Sequence, residues 1–224
     1  MSDYYTKSEI SSASEVGAAL NLKQDSLTDI ELSALDDIAN EYLTIVKYDD
    51  NTTSAYTIVG ALSKSSISAE NKEIVDVKVG KLVTSIGNFA FEDCTYLTSF
   101  TMPDSVTVVN QYAFRYCNNL ANLEFSNNIS SIGSNSFAGC TSLTSVVLPE
   151  NLVELESNVF TVCTGITEVV VPKNITSIGA TPFYGCTSLT SVTFVGKTLA
   201  QVQAMPLYPW GLNTSIIKTE NNAT

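Results

Sequence analysis

The 224-residue chain contains no histidine. That removes the Ser-His-Asp and Cys-His nucleophilic arrangements, histidine general bases and histidine metal ligands. Carboxylates, Lys, Tyr and Cys are left for acid–base or nucleophilic chemistry. Positive charge is scarce: Lys and Arg number 11 against 23 Asp and Glu, for a net charge of −12. A nucleic-acid footprint is basic, so no nucleic-acid partner is expected, and neither is adsorption to an anionic bilayer. No run of 18 apolar residues exists, so no membrane insertion is expected. The opening MSDYYTKSEISSASE has neither a basic n-region nor an apolar h-region, and no Sec signal peptide is read there. With 44% hydrophobic and 15% charged residues, the chain is still too apolar for a disordered segment and too poor in charge for a coiled-coil rod.

What the chain does have is a period. Its five cysteines, Cys94, Cys117, Cys140, Cys163 and Cys186, are each 23 residues apart. A disulfide framework has no reason to be so regular; a structural repeat does. Three residues before each cysteine stands Phe91, Phe114, Phe137, Phe160 and Phe183. Further apolar columns run through Val83, Ile86, Leu97, Phe100 and Met102 and their equivalents. The stretch after each cysteine, such as Leu143-Thr-Ser-Val-Val-Leu148, reads as a short strand of period two. Pro103, Pro149 and Pro172 end three of these strands. A second extended piece follows, such as residues 152–155. The segment ending in Phe-x-x-Cys reads as a tight helical or 3₁₀ turn. One unit cannot bury its apolar side alone, whereas stacked units bury a continuous column.

These residues resemble the BspA-like leucine-rich repeat. The likeness is strongest in Cys140-Thr-Ser-Leu-Thr-Ser-Val-Val-Leu-Pro149 and from Ile178-Gly179 to Cys186, and it spans about residues 72–195. Ser126 and Val195 replace the repeat's proline, and Pro182 replaces its alanine. The resemblance implies an α/β repeat solenoid, right-handed, with a parallel β-sheet on one face. The sequence divides into an N-terminal helical arm or stem (1–26), a helix plus hairpin cap (27–71), leucine-rich repeats (72–195) and a C-terminal cap (196–224). In the last of these, Leu199 to Met205 reads as a helix, Trp210 as a lid on the last rung, and Ile216 and Ile217 as a final strand.

The N-terminal third is different. Thr28-Asp-Ile-Glu31 is a capping box, followed by Leu32, Leu35, Ala39 and Tyr42 at helical spacing. A weaker periodic stretch runs from Tyr5 to Leu20. Residues 43–48 and 55–59 flank Asp49-Asp-Asn-Thr-Thr and suggest a hairpin. The strings Tyr4-Tyr-Thr-Lys-Ser-Glu-Ile10 and Ala19-Leu-Asn-Leu-Lys-Gln-Asp-Ser-Leu-Thr28 are similar to tail-fibre and baseplate-associated proteins of bacteriophages and prophages. That resemblance implies a short stem and a homotrimer.

Candidate chemistry is thin. Zinc motifs pair cysteines two to four residues apart, and parallel neighbours in a stack hold their Cβ atoms too far apart for a disulfide. The cysteines are expected reduced, as small buried hydrophobes. No metal site and no cofactor is expected. Asp49-Asp-Asn51 reads as a solvated turn rather than a calcium loop. Glu150, Glu154 and Glu156 read as surface charge rather than a glycosidase pair. The glycine column at Gly87, Gly133 and Gly179 reads as a turn needing a positive φ; Asn110 suits that requirement and Glu156 does not. In each strand, positions five and seven after the cysteine face outward. They are Ser99 and Thr101, Asn122 and Glu124, Ser145 and Val147, Glu168 and Val170, Ser191 and Thr193. This polar, weakly acidic face is the first candidate binding surface. Tyr96 and Tyr116, with Tyr184, are the second. The reading is a non-enzymatic recognition module, a phage or prophage tail-associated protein meeting a protein or glycan on a bacterial surface. Its alternative is a BspA-like cell-surface adhesin or interaction scaffold. The location follows as the virion tail or the bacterial cell surface.

Overall fold

The computed structural model describes residues 44–49, 51, 53–56, 58, 60–67 and 73–220. The helices expected over Tyr5–Leu20 and from Thr28 to Tyr42, and the trimeric stem, lie outside the described residues. The elements are β1 (Thr44–Tyr48), β2 (Thr53–Tyr56), β3 (Gly60–Leu62), α1 (Lys64–Ile67), β4 (Ile74–Lys78) and β5 (Val83–Ile86), then β6 (Ser99–Thr101), β7 (Val108–Val109), β8 (Asn122–Glu124), β9 (Ser131–Ile132) and β10 (Ser145–Val147). They continue with β11 (Glu154–Leu155), β12 (Glu168–Val171), β13 (Ser177–Ile178), β14 (Ser191–Val195), α2 (Leu199–Gln203) and β15 (Ile217–Glu220).

Each 23-residue unit makes one turn of a solenoid. The short strands stack in the order β13-β11-β9-β7-β5-β3, an unbroken six-stranded sheet, and its bridges among β5 to β13 are parallel and one period apart. β3 joins this sheet in parallel with β5, so among the described residues the sheet extends back to Gly60. The longer strands face another side of the coil and form two separate parallel groups, β6-β8 and β10-β12-β14-β15. The phenylalanine, leucine and cysteine columns fill the space between, with Phe91, Phe114, Phe137, Phe160, Leu120 and Ile166 fully buried. Among the described residues helix content is low, because each connection has room only for turns.

The hairpin expected around Asp49 is present as β1 and β2, paired antiparallel. β4 pairs antiparallel with the other edge of β1. Val77 and Val79 stand one period before Phe100 and Met102 and are buried with them, so β4 ties the hairpin to the solenoid. Tyr48 donates its hydroxyl to the Ile67 carbonyl at 2.8 Å.

The Phe-x-x-Cys segment, expected as a tight helical or 3₁₀ turn, is a run of β-turns in which every second amide makes the i→i−3 bond. In the first unit Ala90, Glu92 and Cys94 donate within the turn to Gly87, Phe89 and Phe91; Phe89, Phe91 and Asp93 donate to Gln111, Ala113 and Arg115 of the next turn. A helix keeps its amides for itself, whereas here every second one stitches adjacent turns together. The geometry needs left-handed residues in two columns: Phe89, Tyr112, Asn135, Asn158 and Thr181, and Asp93, Tyr116, Gly139, Val162 and Gly185.

The column of Gly87, Gly133 and Gly179 is not among them, which corrects the expectation of a positive φ there. What these glycines supply is room. A Cβ on Gly179 would lie 2.5 Å from the Ser157 nitrogen and 2.7 Å from the Glu156 carbonyl carbon, both backbone atoms of the preceding turn. Asn110 and Glu156 fill the column in the alternate turns without a left-handed backbone. Gly179→Ala is therefore expected to destabilise by about 2–3 kcal/mol, because backbone rather than a side-chain tip must yield. Urea denaturation measures this, and a loss below about 0.5 kcal/mol would leave the glycine a mere turn preference.

In the C-terminal segment the helix read over Leu199 to Met205 is α2, ending at Gln203, and the final strand starts at Ile217, with Ile216 closing a 3₁₀ turn before it. Thr198 and Gln201 form a capping box at α2. Trp210 is buried, stacks on Phe194 at 5.5 Å and donates its indole N–H to the Pro206 carbonyl at 2.7 Å. β15 adds in parallel to β14. Among the described residues no helix is long and apolar enough to cross a membrane.

Candidate functional site

The outward positions of the long strands are the first candidate surface. Pairing sets Ser99 beside Asn122 and Thr101 beside Glu124, and the Thr101 hydroxyl donates to Glu124 Oε2 at 3.2 Å. In the second group Ser145, Glu168 and Ser191 are neighbours, and Thr193 stands beside Lys218 of β15. Ser99, Thr101, Asn122, Glu124, Ser145 and Glu168 are exposed, and Ser191 and Thr193 half-buried. The alternate residues Phe100, Val146, Val169 and Val192 are buried, as the period-two reading requires. The face is nevertheless two patches, because β8 and β10 do not pair. At that step Leu123 and Phe125 are half-buried, and Val147 is 67% exposed. The apolar columns give no sign of the break, although Ser126 departs there from the column that holds Pro103 and Pro149 in the turns on either side.

Tyr96 and Tyr116 lie exposed among the turns. Arg115 Cζ stands 4.6 Å from the Tyr112 ring centroid and 5.2 Å from that of Tyr116, and its guanidinium is held by an ion pair with Glu92. The Tyr112 ring stacks on Phe89 at 5.0 Å. Tyr116 covers Gly139 of the next turn, where a Cβ would meet its ring at 2.5 Å. Tyr184 is exposed at the other end of the stack. The Arg115–Glu92 lock escaped the sequence reading; its signal was an acid and a base one period apart.

The carboxylates are engaged separately. Glu150 pairs with Lys173 at 3.0 Å, and Glu156 Oε2 accepts from the Ser134 amide at 2.9 Å and hydroxyl at 2.7 Å. Neither arrangement sets two carboxyls to share a proton. Asp49 Oδ1 accepts from the Glu73 amide at 3.2 Å, which ties the hairpin to β4. Among the described residues no group of three His, Cys, Asp or Glu side chains could hold a metal ion.

The cysteines are free thiols. They are more than small hydrophobes: Cys117, Cys140, Cys163 and Cys186 donate to the Phe91, Phe114, Phe137 and Phe160 carbonyls of the preceding turn at 3.0–3.2 Å. Burial is the main cause that raises every thiol pKa, to about 12 at Cys94 and about 11 at half-buried Cys186. Such thiols are poor nucleophiles.

With this geometry in view, residues 84–207 match the family model described as a BspA type leucine rich repeat region, in six copies. A leucine-rich cell surface protein from Faecalibacterium prausnitzii A2-165 is 27% identical, with a TM-score of 0.54 over 71% of this chain and 42% of its own. The chain thus spans less than half of that protein. The leucine-rich repeat protein of T. pallidum is 22% identical, with a TM-score of 0.53 over 80% of this chain and 79% of its own. The pneumococcal vaccine antigen PcpA is 16% identical, with a TM-score of 0.52 over 66% of this chain and 36% of its own. These two likenesses concern the fold. Among curated proteins, none matches the chain in sequence.

Proposed function

We propose, from the premise that this chain belongs to the BspA-type leucine-rich repeat family, that it is a non-enzymatic interaction and adhesion module of a bacterial cell surface. The observation that carries this reading is the run of six family repeats over 84–207, joined to 27% identity with a cell surface protein. The engaged carboxylates and protonated thiols support a binding role over a catalytic one. The tail-fibre reading of residues 4–28 is set aside. Its strings lie outside the described residues, and neither the family match nor the Faecalibacterium likeness supports a virion component.

The fluorescently labelled full chain is to be tested on panels of bacterial and epithelial cells and of immobilised glycans, beside a glycan-hydrolysis screen. Saturable binding without turnover is expected; release of product from any glycan contradicts the non-enzymatic reading. To choose the face, Asn122, Glu124 and Glu168 are changed together to Lys and, separately, Tyr96 and Tyr116 to Ser. The Lys triple variant is expected to lose about tenfold in affinity, roughly 1.4 kcal/mol. If it binds as the parent does while the tyrosine pair loses binding, the turn side is the surface instead.

A further inference from the structure

We infer that the gap between β8 and β10 is a strand-addition slot, which takes an extended polypeptide segment carrying alternating basic and apolar residues. The inference rests on the interaction-module reading and names the partner of its first face.

Backbone directions carry the argument. In a parallel ladder a residue's N–H and C=O point to the same neighbour, and successive residues alternate sides. On β8 the Asn122 amide bonds to Thr98 and the Glu124 carbonyl accepts from Met102, so both face β6. That turns the N–H and C=O of Leu123 to the opposite edge. On β10 the Thr144 carbonyl accepts from Thr167 and the Leu148 amide donates to Val170, so the even positions face β12. Ser145 and Val147 therefore aim their backbone groups at β8. The bonds that join the paired strands, Met102 to Glu124 and Leu148 to Val170, have no counterpart from Phe125 to Val147. Two strand edges thus face each other without pairing, each with donors and acceptors in strand geometry. The unbroken β7-β9-β11 pairing behind keeps the two turns in place.

A cavity of about 310 Å³ occupies this step, lined by Leu123, Phe125, Val147, Leu148 and Pro149, with Glu124 among its polar lining. An added strand would bond to the free edge of β10 and send alternate side chains inward, against Leu123 and Phe125. Glu124 and the nearby acidic Glu168 favour basic residues at the outward positions. A glycan could stack on exposed apolar surface, but it offers no matching row of amides and carbonyls.

The test pans a random linear peptide library on the full chain and measures a synthetic copy of the most enriched peptide by fluorescence polarisation. Enrichment of alternating basic and apolar residues is expected. Methylating the peptide's alternate backbone nitrogens should weaken it at least tenfold, and this measurement leaves the protein untouched. Val147→Pro removes one donor from the free edge, where proline is tolerated, and should also lose at least tenfold. Val147→Thr, which keeps the N–H, should stay within about threefold. A library that yields no binder, or a methylated peptide that binds unchanged, overturns the slot. Either result leaves cell or glycan binding of the module to be judged by its own assay.

Discussion

Phe137→Ala is expected to lower the unfolding free energy by about 3–5 kcal/mol. Phe137 is fully buried, stacked on Phe114 at 5.1 Å and on Phe160 at 5.4 Å, with the Phe125 ring edge-on at 5.5 Å. In a solenoid each turn touches only its neighbours. A cavity at the middle rung therefore weakens two interfaces and has no third layer to collapse into it. A native domain holds only about 5–15 kcal/mol in total, so the variant should approach the unfolding limit at physiological temperature. Phe89→Ala is the control: its ring is also stacked, on Tyr112, but is 42% exposed. It should cost about 1 kcal/mol or less. If the two variants differ by less than about 1 kcal/mol in urea denaturation, the interior ring column is not the main support of the stack.

The columns made the fold legible because the repeat writes one structural decision five times. A buried position tolerates few residue types, so Phe, Leu and Cys recur and mark the core without reference to any partner. Backbone geometry leaves a weaker trace. The left-handed positions hold Phe89, Tyr112, Asn135, Asn158 and Thr181 in one column, and such a mixture announces no common φ. The glycines that did recur answer to crowding by the preceding turn, which only the stacked structure reveals. The candidate face was legible for a related reason: outward positions follow from period two once the inward ones are known. Its split was not. The apolar columns run through that step unchanged, and the departure of Ser126 from the proline column does not by itself say that β8 and β10 part.

The thiol column should make the protein unfold sharply in alkali. Burial holds the folded thiols protonated above their ordinary pKa of 9.0, up to about 11 at Cys186 and about 12 at Cys94, with Cys117, Cys140 and Cys163 also raised. The folded state then keeps protons that the unfolded chain gives up. This stabilisation is complete below the unfolded value and is lost as pH rises towards the folded ones. Within that window each thiol lowers stability by about 1.4 kcal/mol per pH unit, so five together approach about 7 kcal/mol per unit. Cys186, at the open end of the column, should contribute less. Set against a total of about 5–15 kcal/mol, this places the transition roughly one to two pH units above the ordinary thiol value. Urea denaturation between pH 8 and 11, on protein handled anaerobically, gives the slope. Cys140→Ala should reduce that slope by about a fifth while lowering stability at neutral pH. An unchanged slope would assign the alkaline transition to other groups. The same unfolded samples should titrate as five free thiols without reductant, because parallel neighbours one strand spacing apart do not meet disulfide geometry. Three or fewer would mean that the column oxidises, and that the stacked thiols come closer together than the ladder allows.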